Sequence, residues 1–278
     1  MADKRYSFEF FPPKTDVGLE KLHTVRAELA ALGPGFFSVT YGAGGSTRDN
    51  TRDLVLTMKS EGLSVAPHLS FGADDKNVIR QMLDSYRQAG IDRIVALRGD
   101  IPSGMGAQRL IYASELVAFI REEFGDTFHI EVAAYPETHP DAPSYSADIA
   151  YLKKKFDTGA NSALTQYFYN ADAYFYFIDQ CGKAGIDQPI YPGIMPIINY
   201  QNLARFSRNC GAEIPRWISC RLQELGDDPK GVTEFGIEML TRFCEELLTG
   251  GAPGLHFYTM NQVEPVKTIW QNLGLSKG

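Results

Sequence analysis

Short runs of apolar, β-branched and aromatic residues recur along this chain at intervals of roughly thirty residues, and stretches with helical apolar spacing separate most of them. No other property narrows the choice of fold as far. Eight runs read as strands: YSFEF from Tyr6, FFSVT from Phe36, SVAPHL from Ser64, RIVAL from Arg93, HIEVAA from His129, SALTQYF from Ser162, PIYPGI from Pro189 and GLHFYT from Gly254. Helices are expected over Val17–Leu32, Asp49–Glu61, Asp75–Ala89, Arg109–Phe124, Tyr145–Thr158, Ala171–Ala184 and Val232–Leu248, with a last one over Val263–Leu273. Eight strand–helix alternations without a linker or low-complexity tract fit an α/β fold of the (β/α)8 TIM-barrel type better than the alternative, an open doubly wound sheet. At 278 residues, 44% of them apolar, the chain has the size of one such barrel, so a single domain over residues 1–278 is expected.

Charge and composition narrow the function classes. A net charge of −7, with KKK at Lys153–Lys155 as the only basic run, argues against a nucleic-acid surface, which takes much of its binding free energy from clustered Lys and Arg. The opening MADKRYSFEFF holds no signal-peptide core and no run of about 18 apolar residues occurs, so a cytoplasmic chain without a membrane span is expected. Cys181, Cys210, Cys220 and Cys244 lie far apart, and the five histidines form no helical pair, so no metal site is expected. The Gly-rich turn TYGAGGST misses a dinucleotide-binding fingerprint, because Thr47 stands where the third glycine belongs.

In a barrel of this kind the site forms where strands end. Those ends carry Glu9, Thr40 and Tyr41, His68, Arg98 and Asp100 (in ALRGD), Tyr135, Glu137 and His139 (in AAYPETHP), Gln166, and His256, Tyr258 and Asn261. A lone polar strand end is usually a cap or turn residue, but this many around one mouth call for polar partners, which a bound ligand supplies. Period-2 alternation turns Glu9 away from Phe8 and Phe10 and into the barrel. Two readings of it stand: an ion pair with a barrel arginine, or a carboxylic acid whose proton affinity is raised by desolvation, suited to general-acid work. On the fifth helix Asp148, Tyr151 and Lys155 share one face; this is either a solvated surface or a place where Lys154 or Lys155 meets a cofactor phosphate.

The ordered set SFEFFPPK, VTYGAGG, APHL, ALRGD, AAYPETHP, TQYF, PGIMPI and HFYTMN, spread from Tyr6 to Leu273, resembles the methylenetetrahydrofolate reductases of the bacterial type. The resemblance implies a barrel with non-covalent FAD that reduces 5,10-methylenetetrahydrofolate to 5-methyltetrahydrofolate with NADH or NADPH, by ping-pong kinetics, in a homo-oligomer with small-molecule substrates. It implies Glu9 as the general acid and Asp100 as a catalytic aspartate near flavin and pterin. For the flavin it implies Thr40, His68, Arg98, Gly99, Asp100, Ala113, Tyr135, His139, Ala142, Asp148 and Lys155. For the substrates it implies Gln166 and Phe206, with Asn202 and Gln262 at positions where some members carry Gln and Arg. Still open beside it are a flavin barrel with another substrate and a barrel that only binds a small ligand.

Overall fold

The computed structural model describes residues 4–41, 45–71, 76–98 and 112–275. All eight expected strands are present: β1 (Arg5–Phe10), β2 (Phe36–Val39), β3 (Val65–Leu69), β4 (Arg93–Ala96), β5 (His129–Ala134), β6 (Ser162–Tyr167), β7 (Ile190–Ile194) and β8 (Gly254–Tyr258). They pair in chain order, all parallel, and close into a barrel through β1 and β8. The closing register sets Ser7 beside His256 and Glu9 beside Tyr258, while on the other side Glu9 lies beside Ser38 of β2.

Helices wrap the outside: α1 (Asp16–Ala30), α2 (Gly45–Ser60), α3 (Lys76–Gln88), α4 (Ala113–Phe124), α5 (Tyr145–Asp157) and α6 (Ala171–Lys183). Between β7 and β8 the chain forms three helices, α7 (Tyr200–Cys210), α8 (Arg216–Leu225) and α9 (Pro229–Thr249), before the terminal α10 (Val266–Asn272). Only α9 is foreseen by apolar periodicity. The other two bury few side chains, Leu203 and Ser207 from α7 and Ile218 and Leu222 from α8, so their apolar signal is weak. Local chemistry starts and stops α7 instead: the Asn199 side chain accepts from the Asn202 N–H, and Gly211 closes the helix at φ 75°. Helix α2 also begins earlier than expected, at Gly45 instead of Asp49.

The main core lies between strands and helices. Phe8 and Phe10 point outward into it, where Phe8 meets Phe37, Phe257 and Trp270 at ring distances of 5.2–5.9 Å. Inside the barrel a second apolar layer is built from Phe36, Ala66, Val95, Leu164 and Tyr191. Beneath it, toward the strand N-termini, Glu131 is fully buried and ion-paired to Arg93, with the Ser162 hydroxyl donating to it at 2.5 Å. Burial raises the proton affinity of Glu131, but His129, Arg93 and Ser162 together hold its carboxyl below the ordinary value. No described helix is long and apolar enough to cross a membrane.

Candidate active site

Glu9 occupies the mouth end of β1, its side chain 15% exposed. Its Oε2 accepts from the Ser38 hydroxyl at 3.3 Å and lies 3.3 Å from both His256 Nε2 and His68 Nε2. The His68 nitrogen is at ion-pair distance but lacks the alignment of a hydrogen bond. Behind His256, the Ser7 hydroxyl meets Nδ1 at 2.7 Å, which fixes the plane of the ring. Ser7 and Glu9 share the inner face of β1 because they are two residues apart, and the register carries His256 up beside them.

This cluster corrects both readings of Glu9. Its partners are imidazoles from β3 and β8, whereas Arg93 is engaged at the opposite end of the barrel. Nor is its proton affinity raised: burial acts in that direction, but the charges and hydrogen bonds of His68 and His256 outweigh it and hold the carboxyl at about 2. The free protein therefore carries a carboxylate here.

The β8 exit locks this corner. The Thr259 hydroxyl donates to the Glu9 carbonyl at 2.6 Å, and Asn261 bonds both backbone groups of Phe11, at 2.8 and 3.1 Å. Asn261 does so from a left-handed backbone, φ 54°. Thr40 closes β2 similarly, its N–H given to the Phe10 carbonyl and its carbonyl accepting the Thr51 hydroxyl, both at 2.9 Å.

A second group gathers after β4 and β5. Arg98 pairs with Asp141 at 2.7 Å, the Asp141 N–H donates to His139 Nδ1 at 3.0 Å, and the His139 N–H donates to Asp148 at 2.8 Å. Ala142 returns its N–H to the His139 carbonyl, and the Tyr135 ring stands edge-on to the His139 ring at 4.5 Å. Lys155 turns inward and donates to the Ala133 carbonyl at 2.6 Å, while Lys154 and Tyr151 are exposed. Burial pulls the Lys155 ammonium down to about 8, with Asp148 opposing and Arg98 adding to the fall. Burial likewise lowers His139, helped by the Arg98 charge. Ala113 opens α4 and is buried. Gly99 and Asp100 lie outside the described residues.

The remaining expected residues are more scattered. Gln166 ends β6 half-buried, its Oε1 accepting the Tyr167 N–H at 3.0 Å. Phe206 and Asn202 both ride on α7, linked through Arg205, whose guanidinium sits 5.3 Å from the Phe206 ring and donates to Asn202 at 3.3 Å. Gln262 is exposed past β8. Residues not foreseen as part of the site are Ser7, Ser38 and Asp141. A signal for the first existed, since Ser7 is two positions before Glu9 on one strand.

The methylenetetrahydrofolate reductase family profile matches residues 1–274. The 5,10-methylenetetrahydrofolate reductases of Pectobacterium carotovorum and Escherichia coli are each 40% identical to this chain, over 97% and 98% of it and 90% and 91% of their own lengths. The chain belongs to the methylenetetrahydrofolate reductase family. It is thereby an oxidoreductase. A plant member, the methylenetetrahydrofolate reductase (NADH) 1 of Arabidopsis thaliana, is 39% identical over 97% of this chain, which spans 48% of that protein. Among solved structures, a Clostridium thermocellum protein described as binding two copies of 5-methyl-5,6,7,8-tetrahydrofolic acid superposes with a TM-score of 0.66 over 99% of this chain and 94% of its own. At 16% identity this likeness speaks for the barrel fold.

Proposed function

We propose that this member of the family reduces 5,10-methylenetetrahydrofolate to 5-methyltetrahydrofolate with non-covalently bound FAD and either NADH or NADPH. The observation that carries the reading is the buried carboxylate of Glu9 between two imidazoles at the mouth of the barrel. Bound flavin supplies the hydride, drawn from the nicotinamide. The donor set on the β4–β5 rim fits a phosphate-bearing cofactor: Arg98, His139 and the buried Lys155 amine concentrate positive charge there, with Asp148 and Asp141 orienting them. Thr40, Tyr135, Ala142 and Ala113 line the flanking strand ends. Asp100 is assigned the place near the pterin where its charge favours a cationic intermediate.

Reduction needs the bond between N10 and the bridging carbon opened first. Protonation of N10 lets that bond break and leaves a methylene iminium on N5, which then accepts hydride to become the N5-methyl group. Because Glu9 is ionised in the free protein, the proton it delivers comes from an adjacent imidazolium. His256 Nε2 hands its proton to Glu9 Oε2, and the Ser7 hydroxyl steadies the imidazole at Nδ1 as its charge changes. Once N10 has taken the proton, the restored carboxylate faces the iminium and stabilises it. Gln166 and Phe206 are assigned to hold the pterin.

Anaerobic stopped-flow tests this directly. The purified protein should show flavin absorbance that bleaches with NADH or NADPH and returns with methylenetetrahydrofolate. Glu9→Gln should keep the bleaching and lose the return. Equal slowing of both half-reactions would refute the general-acid role, and a protein that takes up no flavin would refute the function.

A further inference from the structure

The barrel ladder is broken at one point, beside Gln166. Leu164 pairs with Tyr191 and Tyr167 with Gly193, so three steps along β6 match two along β7. A surplus residue of this kind is rare in parallel strands and characteristic of active-site edges, where it re-aims a side chain. Here it falls at Thr165 and Gln166.

The backbone groups freed by the bulge are taken up by a specific set of partners. The Thr165 carbonyl accepts the Tyr258 hydroxyl at 2.7 Å. The Gly193 N–H donates at 2.8 Å to the Thr165 hydroxyl, and the Tyr167 N–H goes to Gln166 Oε1 at 3.0 Å. Tyr258 belongs to β8, so its ring crosses β7 to reach β6. Only a glycine at 193 permits the crossing, since a Cβ there would stand 2.2 Å from the Thr165 oxygen and 2.7 Å from the Tyr258 ring. Three strands thus cooperate to maintain one irregularity.

We propose that Tyr258 is a positioning residue for Gln166. By drawing the Thr165 carbonyl out of the ladder it holds the bulge, and the bulge ties the Gln166 amide oxygen to the backbone. The amide then presents its Nε2 donors to an acceptor on the heterocycle of the bound folate. The inference rests on the folate reading given above.

The test is a double-mutant cycle on the flavin-loaded protein, with 5-methyltetrahydrofolate binding followed by flavin absorbance. Tyr258→Phe and Gln166→Ala should each weaken binding about tenfold, the worth of one hydrogen bond, and the double variant should be no weaker than either, because both act through one contact. Losses that multiply would overturn the proposal. Thr165→Val should weaken binding like Tyr258→Phe, and Thr165→Ser should restore it; a Val variant with unchanged affinity counts against the bulge. A crystal structure of Tyr258→Phe supplies a readout independent of substrate. Regular pairing of Gln166 with Gly193 is expected there, and an unaltered bulge refutes the positioning role. Failure of the unsubstituted flavoprotein to bind the folate would instead refute the functional reading, leaving that crystal structure to decide the role of Tyr258.

Discussion

Replacing Glu9 by glutamine should change how the stability of this protein responds to acid. A carboxyl held at about 2 in the folded chain and at its ordinary 4.5 in the unfolded one is a depressed acid, so its contribution to stability is present above about 4.5 and is lost as pH falls toward 2. The displacement corresponds to about 3 kcal/mol once the carboxyl is ionised in both states. Between pH 6 and pH 3 the part that disappears is about 2 kcal/mol, because at pH 3 the folded carboxyl is still mostly ionised. The assay is urea unfolding at pH 6, 5, 4 and 3, for the unsubstituted protein and Glu9→Gln, followed by the fluorescence of Trp217 and Trp270. Subtracting the two profiles removes every carboxyl that they share. The difference should shrink by about 2 kcal/mol on acidification, and added salt should alter it little, because the pair is buried. A difference that stays constant from pH 6 to 3 would show that the imidazoles do not hold Glu9 as a carboxylate, and the relay from His256 would fall with it.

Two further outcomes follow from the geometry. Lys155→Met should lower retention of the phosphate-bearing cofactor on gel filtration; with the amine at about 8, cofactor affinity of the unsubstituted protein should also fall above that pH, where the positive charge is lost, and the Met variant should lack this dependence. Trp270→Ala should destabilise the fold by ~3–5 kcal/mol in denaturant unfolding, since this fully buried ring packs on Tyr6, Phe8 and Phe257.

The strands were legible because each is an apolar run bounded by turn residues, and their alternation with amphipathic helices leaves few topologies. Helices α7 and α8 were not, for they lie as flat caps on the barrel and bury only a few side chains. The direction of Glu9 could be read from Phe8 and Phe10, but its partners could not. Ser38, His68 and His256 reach it through inter-strand register, and that register couples residues up to 247 positions apart in the chain. Proton affinity depends on those partners, so the raised value expected from burial alone had the wrong sign. The choice between Lys154 and Lys155 is a matter of helical phase: one step, about 100°, separates an exposed ammonium from one bonded to the Ala133 carbonyl. The bulge at Thr165 leaves no mark in the spacing of β6, because it arises from a tyrosine two strands away.

The apolar layer of Phe36, Ala66, Val95, Leu164 and Tyr191 separates two ionised groups, Glu9 with its histidines above and Glu131 with Arg93 below. It works as an insulating septum. A proton on the upper group finds no chain of polar atoms leading down through the layer, so its route to solvent is through the mouth. A substrate lying across that mouth would close the route, and the proton committed to N10 would then be trapped beside the atom that needs it.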